Sequence, residues 1–128
     1  MSLKSPLANV LGSGSAKDGT DHWWAQRVSA VALLLLGLWF AVSLVSLESF
    51  AFDVVLDWAA RPFNSVMLLS LTLTLAWHSS LGIQVVIEDY VHGPALKILS
   101  LITNKLLHIF LAIAGAYAIV NLALGGGA

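Results

Sequence analysis

The side chains best suited to chemistry lie in a thirteen-residue segment that holds His78, Gly82, Asp89 and Tyr90. His78 stands deep inside an apolar run, and the Asp-Tyr pair stands where that run ends. On a helix that turns about 100° per residue, Gly82 and Asp89 lie within a few tens of degrees of the His78 face, whereas Tyr90 lies roughly 120° away. A rise of about 1.5 Å per residue separates Asp89 from His78 by roughly 16 Å along the axis. Such spacing suits electron transfer between a buried cofactor and a head group that arrives from the membrane surface.

The composition places this chain among integral membrane proteins. Hydrophobic residues make up 59% of its 128 residues and charged residues only 10%, which is more apolar surface than a soluble domain of this size can bury. Three uncharged stretches are each long enough to cross a hydrocarbon layer of about 30 Å. They are Val28–Leu47, Asn64–Ile87 and Leu106–Leu124. A helix satisfies every backbone polar group in lipid, and the alternation typical of barrel strands is absent. The predicted fold is therefore all-α, with three transmembrane helices.

The predicted organisation is a short arm followed by the membrane anchor. Residues 1–22 are rich in Ser and Gly and lack the apolar region of a signal peptide, so we expect a flexible cytoplasmic arm. Residues 23–128 form the anchor, with spans at about 24–47, 63–89 and 98–124. Because the chain has no cysteine, it can form no disulfide, no thiolate zinc site and no iron–sulfur cluster of its own.

The basic residues predict the orientation in the membrane. Five of them lie on the N-terminal side or in the second connection and its downstream flank, whereas the first connection carries one Arg and three acids. The five are Lys4, Lys17, Arg27, Lys97 and Lys105. By the positive-inside rule, the N-terminus and the second connection are cytoplasmic and the C-terminus is periplasmic. Asp89 and Tyr90 then lie at the cytoplasmic surface. We expect lipid as a partner and no nucleic acid.

His78 is the strongest candidate ligand. Ionisable residues inside a span are costly and usually face the interior of a helix bundle. Neutral imidazole is a common iron ligand, and the other ring nitrogen could donate to the Thr74 carbonyl one turn back. A hydrogen bond to a neighbouring helix and a proton relay are the alternatives for His78. Gly82 would let a flat macrocycle lie against the backbone, or would let two helices pack closely.

A second histidine, His108, lies roughly as deep in span three as His78 lies in span two. The sequence therefore permits a site in which both histidines ligate one cofactor. Asn104 and Lys105 lie within one turn of His108. They indicate instead a row of polar side chains that would bind an anionic group or a lipid phosphate. We favour His78 as the ligand and His108 as a residue beside the cofactor.

The remaining polar candidates lie near the predicted membrane surfaces. By position alone, Tyr90 is an aromatic-belt anchor, Asp89 is a solvated helix end, and Arg27 is a cation that reaches lipid phosphates. His22 and His92 also lie at the interface, where contact with water or headgroups is expected.

The pattern His78-x-x-x-Gly82, followed by Asp89-Tyr90, in the second of three spans resembles one family. It is similar to the hydrophobic membrane anchor of succinate dehydrogenase, respiratory complex II, of the cytochrome b556 type. The segment Gly19–Ala30 also resembles the start of the first span in bacterial members. The resemblance implies a complex with a flavoprotein subunit, an iron–sulfur subunit and a second cytochrome b anchor subunit. The two anchors would bind haem b between them and reduce ubiquinone in the bacterial inner membrane.

The resemblance also implies roles for individual residues. His78 would be one axial ligand of the haem iron, with the other supplied by the second cytochrome b anchor. Tyr90 would belong to the ubiquinone site, with Asp89 as the neighbouring acid. Its hydroxyl could hydrogen-bond a quinone carbonyl, and the carboxylate could relay protons. Arg27 would lie by the haem propionates and the quinone pocket.

The chain is thus expected to be non-catalytic alone and to supply part of a haem and quinone site. It would serve succinate oxidation in the tricarboxylic acid cycle and the respiratory chain. Two alternatives remain: the cytochrome b anchor of a fumarate reductase, and a small transporter or assembly protein in which His78 relays protons.

Overall fold

The computed structural model describes residues 18–125, and these residues form four helices and no strand. The helices are α1 (Asp18–Val45), α2 (Phe52–Ala60), α3 (Pro62–Tyr90) and α4 (Pro94–Ala123). Most of the predicted arm lies outside the described residues, as do residues 126–128. Because three of the helices are long and apolar enough to cross a membrane, the predicted all-α fold with three transmembrane helices is confirmed.

The helix boundaries differ from the predicted spans mainly at the N-terminal ends. α1 begins at Asp18, so the last residues of the predicted arm are helical. A transmembrane helix can extend beyond the hydrocarbon layer, because its backbone groups continue to hydrogen-bond within the helix. α3 and α4 each begin with a proline, whose fixed φ and missing N–H suit the first helical position. The nine-residue helix α2, in the connection between the first two spans, was not predicted.

Side chains of α3 fix the turn between α2 and α3. The Asn64 amide donates to the carbonyl of Trp58 (2.7 Å), and the Ser65 hydroxyl donates to the carbonyl of Ala59 (2.8 Å). These carbonyls belong to the last turn of α2, where intrahelical partners are missing. The indole of Trp58 also stacks on Trp39 of α1, with ring centroids 6.0 Å apart. The short helix is therefore held by its neighbours.

α3 is the central helix of the bundle. It packs against α1 on one side and against α4 on another, whereas α1 and α4 do not pack on each other within residues 18–125. The buried side chains are mostly polar, and in the described part of the chain Ala59 is the only buried hydrophobic residue. Large apolar side chains are exposed along all three long helices. This distribution is typical of a chain whose outer surface meets lipid or another membrane subunit.

Candidate functional site

His78 lies in the middle of α3, where α1 packs against it. Its Nδ1 lies 2.9 Å from the hydroxyl oxygen of Ser29, which is 1% exposed. Its Nε2 lies 3.4 Å from the amide nitrogen of Gln26. The hydrogen bond of the ring therefore goes to Ser29 of α1 and not to the Thr74 carbonyl, because α1 approaches α3 closely at this turn.

The imidazole opens into a cleft between α1 and α3 with a volume of about 510 Å³. The lining residues come from one face of each helix: His22, Trp23, Gln26, Arg27 and Ala30 of α1, and His78, Gly82 and Val85 of α3. The structure thus brings together three of the predicted site residues, namely His78, Gly82 and Arg27. We call this space the His78 cleft.

Gly82 forms part of the cleft wall one turn beyond His78. A Cβ added at Gly82 would lie 3.6 Å from the Gln26 amide nitrogen, which is ordinary van der Waals contact. The side chain of Gln26 therefore lies in front of both the His78 ring and the Gly82 backbone. Because glycine has no side chain, the backbone of α3 itself forms the cleft wall at this point.

Polar groups line the cleft on its α1 side. Nε2 of His22 and Oε1 of Gln26 are buried and have no hydrogen-bond partner among the described residues. The guanidinium of Arg27 lies 5.5 Å from the ring centroid of Trp23, in a cation–π contact. A ligand with anionic groups would find a cation and a free imidazole nitrogen here. An imidazole, a glycine wall and cationic or donor groups fit a flat metal-bearing macrocycle with carboxylates.

Tyr90 and Asp89 lie apart from the cleft, at the C-terminal end of α3. Tyr90 is its last residue and is 77% exposed, and Asp89 is also exposed. The Tyr90 carbonyl accepts a hydrogen bond from Nδ1 of His92 (2.9 Å), and the Glu88 carbonyl accepts one from Lys97 (2.6 Å). The phenol ring and the carboxylate therefore lie at the C-terminal end of α3, where His92 and Lys97 donate hydrogen bonds to backbone carbonyls.

His108 does not line the His78 cleft. It is 7% exposed and lines two cavities whose α3 residues include Ser80 and Ile83. Its Nδ1 donates to the Asn104 carbonyl (2.8 Å), and the Asn104 amide donates to the Ser80 carbonyl (2.9 Å). At about 100° per residue, Ser80 lies roughly 160–200° from His78 around α3. His108 therefore lies between α3 and α4, away from the His78 cleft, and its predicted place beside the cofactor stays a prediction.

Sequence reasoning missed three residues of α1: His22 and Gln26, which line the cleft, and Ser29, whose hydroxyl lies against the His78 ring. His22 was assigned to the interface, and Gln26 and Ser29 were not singled out. The three are separated by four and three residues, and this spacing places them on one face of a helix. A polar stripe with this period inside the first span was the available signal.

Comparison with known proteins gives one family. Residues 1–120 match the family described as "Succinate dehydrogenase/Fumarate reductase transmembrane subunit". The chain is 32% identical to the succinate dehydrogenase hydrophobic membrane anchor subunit of Rickettsia bellii, over 91% of this chain and 94% of that protein. It is 30% identical to the subunit of the same name from Paracoccus denitrificans, over 94% of this chain and 93% of that protein. It is 34% identical to the succinate dehydrogenase membrane anchor subunit of Reclinomonas americana, over 73% of this chain and 80% of that protein.

Proposed function

Because the chain belongs to the succinate dehydrogenase/fumarate reductase transmembrane subunit family, we propose that it supplies one axial ligand of haem b and part of a ubiquinone-reduction site. It is a multi-pass membrane anchor subunit of this family. The observation that carries the proposal is the position of His78, whose Nε2 faces a cleft while its Nδ1 contacts Ser29.

Haem b, when bound, supplies a one-electron redox centre. His78 would hold the iron through Nε2, and the backbone at Gly82 would let the macrocycle lie close to α3. Arg27 and the unpartnered Nε2 of His22 would bind the propionate carboxylates. The Gln26 amide lies in front of Nε2 and would rotate away when the site is filled.

The other cytochrome b anchor of the complex would supply the second residue that holds haem b. α4 packs on α3 away from the His78 cleft, so it does not cover the cleft. Large apolar side chains are exposed on both helices that form the cleft, among them Val31 and Leu34 of α1 and Val86 of α3. A partner helix that packs there would bury this surface and complete the site.

Tyr90 and Asp89 are proposed to act at the quinone. Reduction of ubiquinone to the quinol needs two electrons and two protons. The exposed hydroxyl of Tyr90 can donate a hydrogen bond to a quinone carbonyl, and the Asp89 carboxylate can carry protons in from the aqueous side. The cytoplasmic placement of this end and the bacterial inner membrane as the location are part of the proposal, with the bias of basic residues in support.

The further partners are the iron–sulfur and flavoprotein subunits, through which electrons from succinate would arrive. The family description also names fumarate reductase. The three relatives above are all named as succinate dehydrogenase subunits, which favours succinate oxidation over fumarate reduction.

The proposal is tested by replacing His78 with Ala in the assembled complex. The reduced-minus-oxidised absorption spectrum should lose its low-spin haem b signal, because one imidazole alone cannot keep the iron six-coordinate. Co-purification of the other subunits with the variant chain serves as the control for assembly. An unchanged low-spin spectrum would overturn haem ligation by His78. The absence of any haem from the wild-type complex would overturn the haem part of the proposal.

A further inference from the structure

The hydroxyl of Ser29 is held by its own helix. It lies 2.7 Å from the carbonyl of Ala25 and 3.1 Å from the carbonyl of Gln26, and the residue is 1% exposed. A carbonyl only accepts, so the single hydroxyl proton of Ser29 is donated backwards along α1. The Ser29 oxygen then has only a lone pair to offer to Nδ1 of His78, which lies 2.9 Å away.

We propose that Ser29 is a positioning residue that fixes the ring tautomer of His78. Nδ1 carries the proton and donates it to Ser29, so Nε2 presents its lone pair to the His78 cleft. The second neighbour of the ring agrees with this assignment. The Gln26 amide nitrogen lies 3.4 Å from Nε2, and because an amide nitrogen only donates, this contact matches a lone pair on Nε2.

The tautomer matters because only an unprotonated ring nitrogen binds a metal. A neutral imidazole can carry its proton on either nitrogen, and the hydrogen bond of one nitrogen decides the state of the other. In ligating histidines, a hydrogen bond from the second nitrogen also fixes the ring orientation and raises the basicity of the ligand. Among the described residues, Ser29 is the one side chain within hydrogen-bond distance of Nδ1. The tautomer of His78 therefore depends on the contact between α1 and α3.

The inference rests on the proposed haem ligation and is tested in the assembled complex with three variants. Ser29→Ala removes the acceptor, and Ser29→Thr keeps a hydroxyl. Ser70→Ala is the matched control, because Ser70 makes the same backward bond to a carbonyl, that of Val66 (2.8 Å), but lies outside the cleft. Haem retention is measured during detergent washing, and the haem midpoint potential is measured in a redox titration.

Ser29→Ala should weaken haem binding by about tenfold to a hundredfold. It should also raise the midpoint potential, because a less basic imidazole stabilises ferric iron less. Ser29→Thr and Ser70→Ala should keep the wild-type potential. An unchanged or lowered potential in Ser29→Ala would overturn the inference, even where His78→Ala abolishes low-spin haem and so supports the ligand. A low-spin haem that survives His78→Ala would overturn the haem proposal itself.

Discussion

His78 and His108 face opposite sides of α3. His78 opens into the cleft against α1, whereas His108 lies against the face that packs with α4 and donates to the Asn104 carbonyl (2.8 Å). The two histidines have similar depth in their spans, yet the central helix separates them. A single chain of this fold therefore does not place both imidazoles on one cofactor.

Replacing His108 with Ala should lower stability and leave the haem unchanged. The substitution leaves a cavity between α3 and α4 and should lower the free energy of unfolding by roughly 1–3 kcal/mol. It also removes the hydrogen bond from His108 to the Asn104 carbonyl, which lies within α4. The thermal midpoint of the purified complex should fall while the low-spin haem spectrum keeps its shape. A loss of the low-spin haem signal, as expected for His78→Ala, would show instead that His108 belongs to the haem site.

Gly115 of α4 lies close against Thr72 of α3. A Cβ added at Gly115 would lie 2.6 Å from Cγ2 of Thr72, and Thr is stiff because it is branched at Cβ. Gly115→Ala should therefore separate the helices locally and destabilise the bundle by about 1–3 kcal/mol. The measurement is the midpoint of unfolding in a mixed-micelle denaturant titration.

Gly37→Ala is the control for that substitution. Gly37 lies on α1, and a Cβ there would meet nothing within 4 Å. Alanine has the higher helix propensity, so Gly37→Ala should be neutral or slightly stabilising. Equal losses of stability in the two variants would show that steric contact with Thr72 is not the cause.

The sequence predicted the number and type of the long helices because length and composition decide those in lipid. It also predicted that His78 and Gly82 share a face, because helical periodicity fixes this within one helix. It did not predict α2, whose carbonyls at Trp58 and Ala59 are bonded by side chains of α3. Nor did it predict the place of His108, because the face of α3 that each neighbour covers depends on packing between helices.

The isolated chain should not hold low-spin haem. His78 lines the cleft, and α4 packs elsewhere on α3 and contributes no residue to its lining. Expressed alone and purified in detergent, the chain should bind haem weakly or in a five-coordinate form, as judged by absorption and electron paramagnetic resonance spectra.

Co-expression with the second anchor should restore the low-spin signal. Stable low-spin haem in the isolated chain would contradict the shared site and would indicate a second ligand within this chain. His22→Ala is the variant that would then identify it, because the unpartnered Nε2 of His22 also lines the cleft.

Tyr90→Phe should separate quinone chemistry from haem binding. Tyr90 lies about 18 Å along α3 from His78, and the substitution removes one hydroxyl while it keeps the ring. A hydrogen bond that strengthens as the quinone is reduced is worth about 1–3 kcal/mol, so ubiquinone reductase turnover should fall roughly tenfold to a hundredfold. The haem spectrum and succinate oxidation with an artificial acceptor should not change. Tyr117→Phe, on the exposed surface of α4, is the matched control and should keep full turnover. Full turnover in Tyr90→Phe as well would leave Tyr90 as an aromatic anchor and place the quinone on other residues.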